Sequence, residues 1–212
     1  MEGQLPSVPI IRTKLHRPPV SGDHVHRSRL LNRLNKHLYR SLTLVSAPAG
    51  YGKSTVVSCW LESCKFPWAW ISLDEEDTDL RTFLHYFLAA AQEMLPGACA
   101  ETQDLVKEME LPPLGILTGC LTNDLAAVDT PFVLVLDDYH RLGKSQVNDL
   151  FESLLEHPPP SLHLVICTRR NPPLPLATLR AQGRMTEVRL LDLQFTQAET
   201  KALLEKAVEH SL

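Results

Sequence analysis

No apolar run in the sequence is long enough to span a membrane, and no signal-peptide core stands near the N-terminus, so the expected location is the cytoplasm. No run of lysine or arginine occurs and the net charge is −4, so the overall basic footprint of a nucleic-acid binder is missing. Any DNA contact by this chain would need a local patch. The five cysteines (Cys59, Cys64, Cys99, Cys120 and Cys167) are an odd number without a C-x-x-C pair. Several lie in apolar stretches, as reduced core cysteines do. The nine histidines show neither H-E-x-x-H nor H-x-x-E-H spacing and no Cys/His cluster, so no zinc or other transition-metal site is expected. Nor is there an internal repeat. What remains is ordinary for a globular core, with 44% hydrophobic and 22% charged residues. A length of 212 residues suits one sizeable α/β domain with a small appendage.

Apolar runs and their punctuation order the chain. Residues 1–20 carry Pro6, Pro9, Pro18 and Pro19 without periodicity, which predicts an extended lead-in. Leu30, Leu31, Leu34 and Leu38 lie on one helical face over residues 28–39, with Ser28 placed to cap it. Strands are expected at 42–45, 68–73, 132–136, 162–167 and 185–190. Helices are expected from Thr55, over 80–94 (stopped by Pro96-Gly97), 114–128 and 145–156, near 176–181, and from Thr196. The last begins with a capping box, Thr196 and Glu199. The run Phe132-Val133-Leu134-Val135-Leu136 does not alternate, so both its faces are expected to be covered, as in a parallel sheet. Alternating strands and helices predict an open, doubly wound α/β fold of about five strands with helices on both faces. Trp68 and Trp70, two apart, read as packing residues. The acidic stretch 74–79 reads as a solvated turn, and the chain stops within a helix, as an interrupted architecture would.

One stretch carries chemistry. Ala47-Pro48-Ala49-Gly50-Tyr51-Gly52-Lys53-Ser54 sits between the 42–45 strand and a helix, the setting of a phosphate-binding (Walker A) loop. Gly50 and Gly52 let the backbone curl so that N–H groups face an anion, and the helix start adds free N–H groups and dipole. Lys53 would reach β- and γ-phosphates, and the Ser54 hydroxyl would ligate Mg2+. Ala47 replaces the first glycine of the strict pattern. The alternative is a glycine-rich turn with a solvated lysine.

Asp137-Asp138 closes the most apolar strand, where ligands of open α/β sheets gather. Asp137 would hold Mg2+ through its water shell and Asp138 would orient an attacking water, a Walker B arrangement; otherwise the pair starts a solvated turn. Thr168-Arg169 ends another strand, and Arg169 there could sense a γ-phosphate, with Arg170 as its competitor. His140 follows the acidic pair and reads as a solvated turn residue; the alternative is a place behind the pair, supporting it.

Taken in order, several segments resemble the opening of the large ATP-dependent LuxR-type transcriptional regulators. These are Thr13-Lys14-Leu15-His16-Arg17-Pro18, Val25-His26-Arg27-Ser28-Arg29-Leu30-Leu31 and the run from Ser46 to Thr55. Trp70-Ile71-Ser72-Leu73-Asp74, Val135-Leu136-Asp137-Asp138-Tyr139-His140, Thr168-Arg169-Arg170 and Leu193-Gln194-Phe195-Thr196 follow. The family favours the Ala47 form of the loop. The resemblance implies a signal-transduction ATPase with numerous domains (STAND), of P-loop fold, in which the Arg169 strand lies between the loop strand and the Asp137 strand. Its expected organisation is a lead-in over 1–27, a P-loop ATPase domain over 28–192 and the start of a truncated helical module over 193–212.

The resemblance assigns ATP contacts to Ala47, Pro48, Ala49, Gly50, Tyr51, Gly52, Lys53, Ser54, Thr55 and Arg27. Arg27 is carried over although His26 stands where the family has glycine. Slow hydrolysis would use Lys53, Asp138 and Arg169, with Ser54 and Asp137 holding Mg2+. ATP and a small inducer would drive self-association, while inducer and DNA would bind through domains absent from this sequence. Two other functions fit the same loop: a P-loop kinase acting on a small acceptor, and an interaction scaffold with a vestigial loop.

Overall fold

A computed structural model describes residues 9–20 and 24–209, with side chains described through residue 206. The expected lead-in at 1–8 and 21–23 lies outside the described residues. Five strands form one all-parallel sheet: β1 (Leu42–Ser46), β2 (Trp68–Ser72), β3 (Phe132–Asp137), β4 (Leu162–Thr168) and β5 (Met185–Arg189). Their spatial order is β2-β3-β4-β1-β5. The helices are α1 (Ser28–Lys36), α2 (Lys53–Glu62), α3 (Leu80–Met94), α4 (Ala100–Lys107), α5 (Leu114–Ala126), α6 (Gln146–Glu156), α7 (Leu176–Ala181), α8 (Leu190–Leu193) and α9 (Gln197–Glu209).

Strand alternation sorts the core into two layers, because successive side chains point to opposite faces. Leu42, Leu44, Leu134, Leu136, Leu164 and Ile166 pack under Phe83, Leu84, Leu121, Phe151 and Leu154 of α3, α5 and α6. On the other face Val45, Val133, Val135, Val165 and Cys167 meet Leu30, Leu34, Val57, Trp60 and Leu61 of α1 and α2. Every residue of β1, β3 and β4 is buried, as the unbroken apolar runs predict for a sheet covered on both faces. Asp137 shares its parity with Val133 and Val135, and therefore faces α2.

Three expectations need correction here, and one helix lies outside the expected set. The lead-in is not simply extended: Arg12–Leu15 forms a 3-10 turn with Lys14 and Leu15 buried. The acidic stretch is not a solvated turn, for Asp77 is 0% exposed and both its carboxylate oxygens accept from Lys14 Nζ, at 2.8 and 2.7 Å. Asp79 caps α3, accepting from the Thr82 N–H at 2.8 Å. Ser28 is the first residue of α1 rather than its cap; Arg27 holds that position without a side-chain cap bond. The helix outside that set is α4, which has no strong apolar period and is anchored by the Thr102 N–H and hydroxyl, both donating to Asp124 Oδ2. The Thr196–Glu199 capping box is present in both directions, at 2.9 and 3.2 Å.

Candidate functional site

Parallel strands deliver their carboxyl ends to one edge. Ser46 of β1 stands opposite Thr168 of β4, and Leu136 of β3 opposite Ile166, so residues 47–54, 137–138 and 168–170 emerge side by side. Ala47 is buried and its N–H donates to Thr168 O at 3.3 Å. Gly50 and Gly52 have φ of +82° and +70°, left-handed backbone that favours glycine, and no atom lies within 4 Å of where a Cβ would stand. The first α-helical bond is from the Val56 N–H to Gly52 O at 2.9 Å. The N–H groups of residues 53–55 precede it and are left without helical acceptors. Lys53 is buried, and its ammonium donates to Pro48 O at 2.9 Å.

The Ser54 hydroxyl donates to Asp137 Oδ1 at 2.9 Å, joining α2 to β3. Burial pushes the Asp137 carboxyl upward, against the pull of the Ser54 bond. Asp138 has φ of +54°, a conformation that costs a non-glycine residue about 1 kcal/mol. This turn aims its N–H at Asp137 Oδ1, 2.9 Å away. A cavity of ≈ 330 Å³ is lined by Ala49, Gly50, Gly52, Lys53, Ser54, Thr55, Asp138 and Arg169. Asp137 sits behind Ser54 rather than on this wall. Arg169 lines the cavity, whereas Arg170 turns away and donates to His140 O at 3.3 Å. His140 is not a solvated turn residue: its side chain is only 13% exposed and its Nδ1 stands 3.7 Å from Asp138 Oδ1. Burial lowers its pKa, with Asp138 opposing that shift. Trp70 is buried as expected, and Trp68 is half-buried with Arg17 over its ring at 5.8 Å.

A second, larger pocket of ≈ 520 Å³ shares Ala49, Gly50, Gly52 and Thr55 with the first, so the two meet around the loop. Its walls are mostly apolar and include Val25, Tyr51, Val56, Cys59, Phe195 and Leu203. Arg27 lines it, 7% exposed, with Nη2 donating to Leu193 O at 2.8 Å and Gln194 O at 3.0 Å and Nε lacking a partner. Sequence reading pointed to Arg27 but not to residues 193–203. These stand about 140 positions from the loop, at a distance that no local spacing can reveal.

A free buried guanidinium nitrogen, an open left-handed glycine loop and a hydroxyl–carboxylate pair fit a nucleotide and a divalent cation that keeps most of its water. Among the described residues no group of three or more His, Cys, Asp or Glu gathers into a metal cluster. Such a loop at the end of β1, in a five-stranded parallel sheet with β4 between β1 and β3, defines a P-loop nucleoside-triphosphatase fold. Within that class the chain belongs to the AAA ATPase domain family, whose model matches residues 24–167.

The chain is 34% identical over 196 residues to the HTH-type transcriptional regulator MalT of Klebsiella pneumoniae, covering 92% of this chain and 22% of the relative. It is 35% identical to MalT of Serratia proteamaculans over the same length and shares. The chain thus spans about a fifth of the length of these relatives. A STAND protein with a tetratricopeptide-repeat sensor from Pyrococcus horikoshii superposes with a TM-score of 0.60 at 16% identity, covering 91% of this chain and 27% of that one. A Walker-type ATPase of Pyrococcus abyssi gives a TM-score of 0.53 at 15% identity, covering 92% and 61%. Both are likenesses of fold.

Proposed function

We propose that this chain is the Mg-ATP-binding switch domain of a signal-responsive transcriptional regulator, in which slow hydrolysis resets a conformational or oligomeric change. One observation carries it: Lys53, Ser54, Asp138 and Arg169 line one cavity at the carboxyl edge of the sheet, with Asp137 bonded behind Ser54. Similarity to regulators named HTH-type supplies the regulatory half of the proposal. DNA contact, inducer binding and self-association enter the proposal only for such a regulator as a whole. In this proposal 28–192 is the ATPase domain, 193–212 the start of a helical module and the cytoplasm the location. Five free cysteines suit that compartment, and no described helix is long and apolar enough to cross a membrane.

The mechanism starts with the triphosphate displacing Pro48 O from the Lys53 ammonium, which then sits against the β- and γ-oxygens. Free N–H groups of residues 53–55 and the loop backbone donate to the same anion. Ser54 and Asp137 would hold Mg2+, which when bound offsets phosphate charge. Asp138, aimed by its left-handed turn, accepts from and orients the attacking water. Arg169 contacts the γ-phosphate, stabilises its developing charge and reports its loss. The apolar pocket beside the loop takes the nucleobase, with Arg27 beside it.

The measurement that decides is Mg-ATP affinity in Lys53→Ala against wild type. A loss of about tenfold or more is expected, since a charge-assisted contact is worth on the order of 1.5–3 kcal/mol; equal affinities would sink the loop assignment. A kinase is less well supported. Arg180 and Arg189 are both engaged by Glu187, and Arg184 donates to Leu155 O, so none of the three lines the cavity as a lid cluster would.

A further inference from the structure

Arginines and a lysine bind the segment after β5 to the segment before β1, Arg33 among them through Asp192 Oδ1 at 2.7 Å. Arg27 and Arg29 donate to the carbonyls of residues 192–194, Arg29 at 2.6 Å to Asp192 O and 2.7 Å to Gln194 O. Glu199 of α9 pairs with Arg29 at 3.0 and 3.1 Å and lies 3.5 Å from Arg27 Nη2. Lys206 of α9 donates to His24 O at 2.9 Å. The clamped stretch makes no sheet ladder, so its carbonyls depend on these arginines for partners.

What the clamp holds in place is one wall of the larger pocket. Gln194, Phe195 and Leu203 line that wall, and the Arg27 guanidinium stands 4.7 Å from the Phe195 ring. Phe195 is 48% exposed, a large aromatic surface left uncovered at an apolar cavity. Arg27 Nε is buried there without a partner. A flat aromatic ring with hydrogen-bond acceptors on its edge, or on an attached sugar, would satisfy both. Glu199 does not line the pocket; it acts through the two arginines, whose mutual repulsion its carboxylate offsets.

We propose that the Arg29–Glu199 pair is a positioning device for the nucleobase, holding Phe195 and Arg27 as the outer wall of the apolar pocket so that base binding and the placement of α9 are one equilibrium. This rests on the nucleotide reading above and deepens it. Phosphates bind at the loop whether or not the wall is closed. The base binds well only when the wall is closed, and a bound base in turn holds α9 down.

The test compares Phe195→Ala and Glu199→Gln with wild type. Glutamine keeps an oxygen to accept the Thr196 N–H of the capping box but loses the charge. Affinities for Mg-ATP, Mg-ADP and magnesium tripolyphosphate, which has no base, are measured by calorimetry. Both variants are expected to weaken ATP and ADP about tenfold, the scale of one base-stacking platform, and to leave tripolyphosphate within about twofold.

Cys59 gives a second readout, as it lines the pocket at 8% exposure. Its alkylation in ligand-free Glu199→Gln, mapped by peptide mass spectrometry, should rise several-fold. Cys167, fully buried in the sheet, should stay unreacted and thereby separate wall opening from unfolding. Unchanged ATP affinity in both variants, a parallel loss of tripolyphosphate, or an unchanged Cys59 rate overturns the proposal. A wild type that binds tripolyphosphate as tightly as ATP removes the base pocket alone. One that binds neither removes the nucleotide reading and this inference with it.

Discussion

His163 shows at the residue scale how a buried side chain can set the acid limit of the whole fold. It lies in β4, with Nδ1 2.6 Å from Arg40 O and Nε2 3.0 Å from Thr43 Oγ1. A carbonyl partner requires Nδ1 to carry the proton, so the Thr43 hydroxyl donates to Nε2 of a neutral ring. Burial lowers its pKa to about 4, against an ordinary 6.5. The unfolded chain therefore binds the extra proton over that interval. Stability from the neutral ring is complete above pH 6.5 and is lost as pH falls from 6.5 to about 4, on the order of 3 kcal/mol. Urea titrations at several pH values should show this decline in wild type and a flatter profile in His163→Gln. Parallel profiles would remove His163 as the cause. Nothing in the sequence marks this histidine, because its partners lie about 120 positions earlier.

At the scale of elements, the N-terminal 3-10 turn is fastened by a single buried pair. Lys14 holds Asp77 with two bonds and Asp74 at 3.0 Å, and its ammonium lies 4.2 Å from the Tyr86 ring centroid. Lys14→Met would leave a fully buried carboxylate without its cation, and unfolding free energy should fall by about 3–5 kcal/mol in denaturant titration. Adding Asp77→Asn should recover much of the loss, since the uncompensated charge is then gone. A change below about 1 kcal/mol in the single variant would mean that water replaces the lysine. The strands were legible because parallel strands buried on both faces must be apolar throughout, and Phe132–Asp137 is. The 3-10 turn and α4 were not. Each is held by distant carboxylates, Asp77 and Asp74 for the turn and Asp124 for α4, rather than by an apolar period of its own.

For the molecule as a whole, binding at the shared edge must couple to folding. The site draws on β1, β3, β4 and α2, and the pocket wall adds the stretch after β5, so unfolding dismantles every contact together. At Mg-ATP concentrations about a hundred times Kd the native state should gain about 2.7 kcal/mol. Each kcal/mol raises Tm by about 2–4 °C in a chain of this size, so calorimetry should register a rise of several degrees. An unchanged Tm at saturating Mg-ATP would make the scaffold with a vestigial loop the better account.

The glycine loop, the Asp137-Asp138 pair and the strand-helix alternation were all determined by the sequence alone. Loop curvature, strand burial and helix starts are set by residue type over a few neighbouring positions, and such properties survive in a linear string. Only the tertiary structure decided that Arg169 faces the cavity while Arg170 turns to His140 O. Only it paired Lys14 with Asp77, and only it brought Phe195 and Glu199 across about 170 positions to Arg27 and Arg29. The glycine loop is thus half a site by its own chemistry. The other half exists because a parallel sheet brings distant strand ends to one edge, and because two arginines need acceptors that only the far end of the chain supplies.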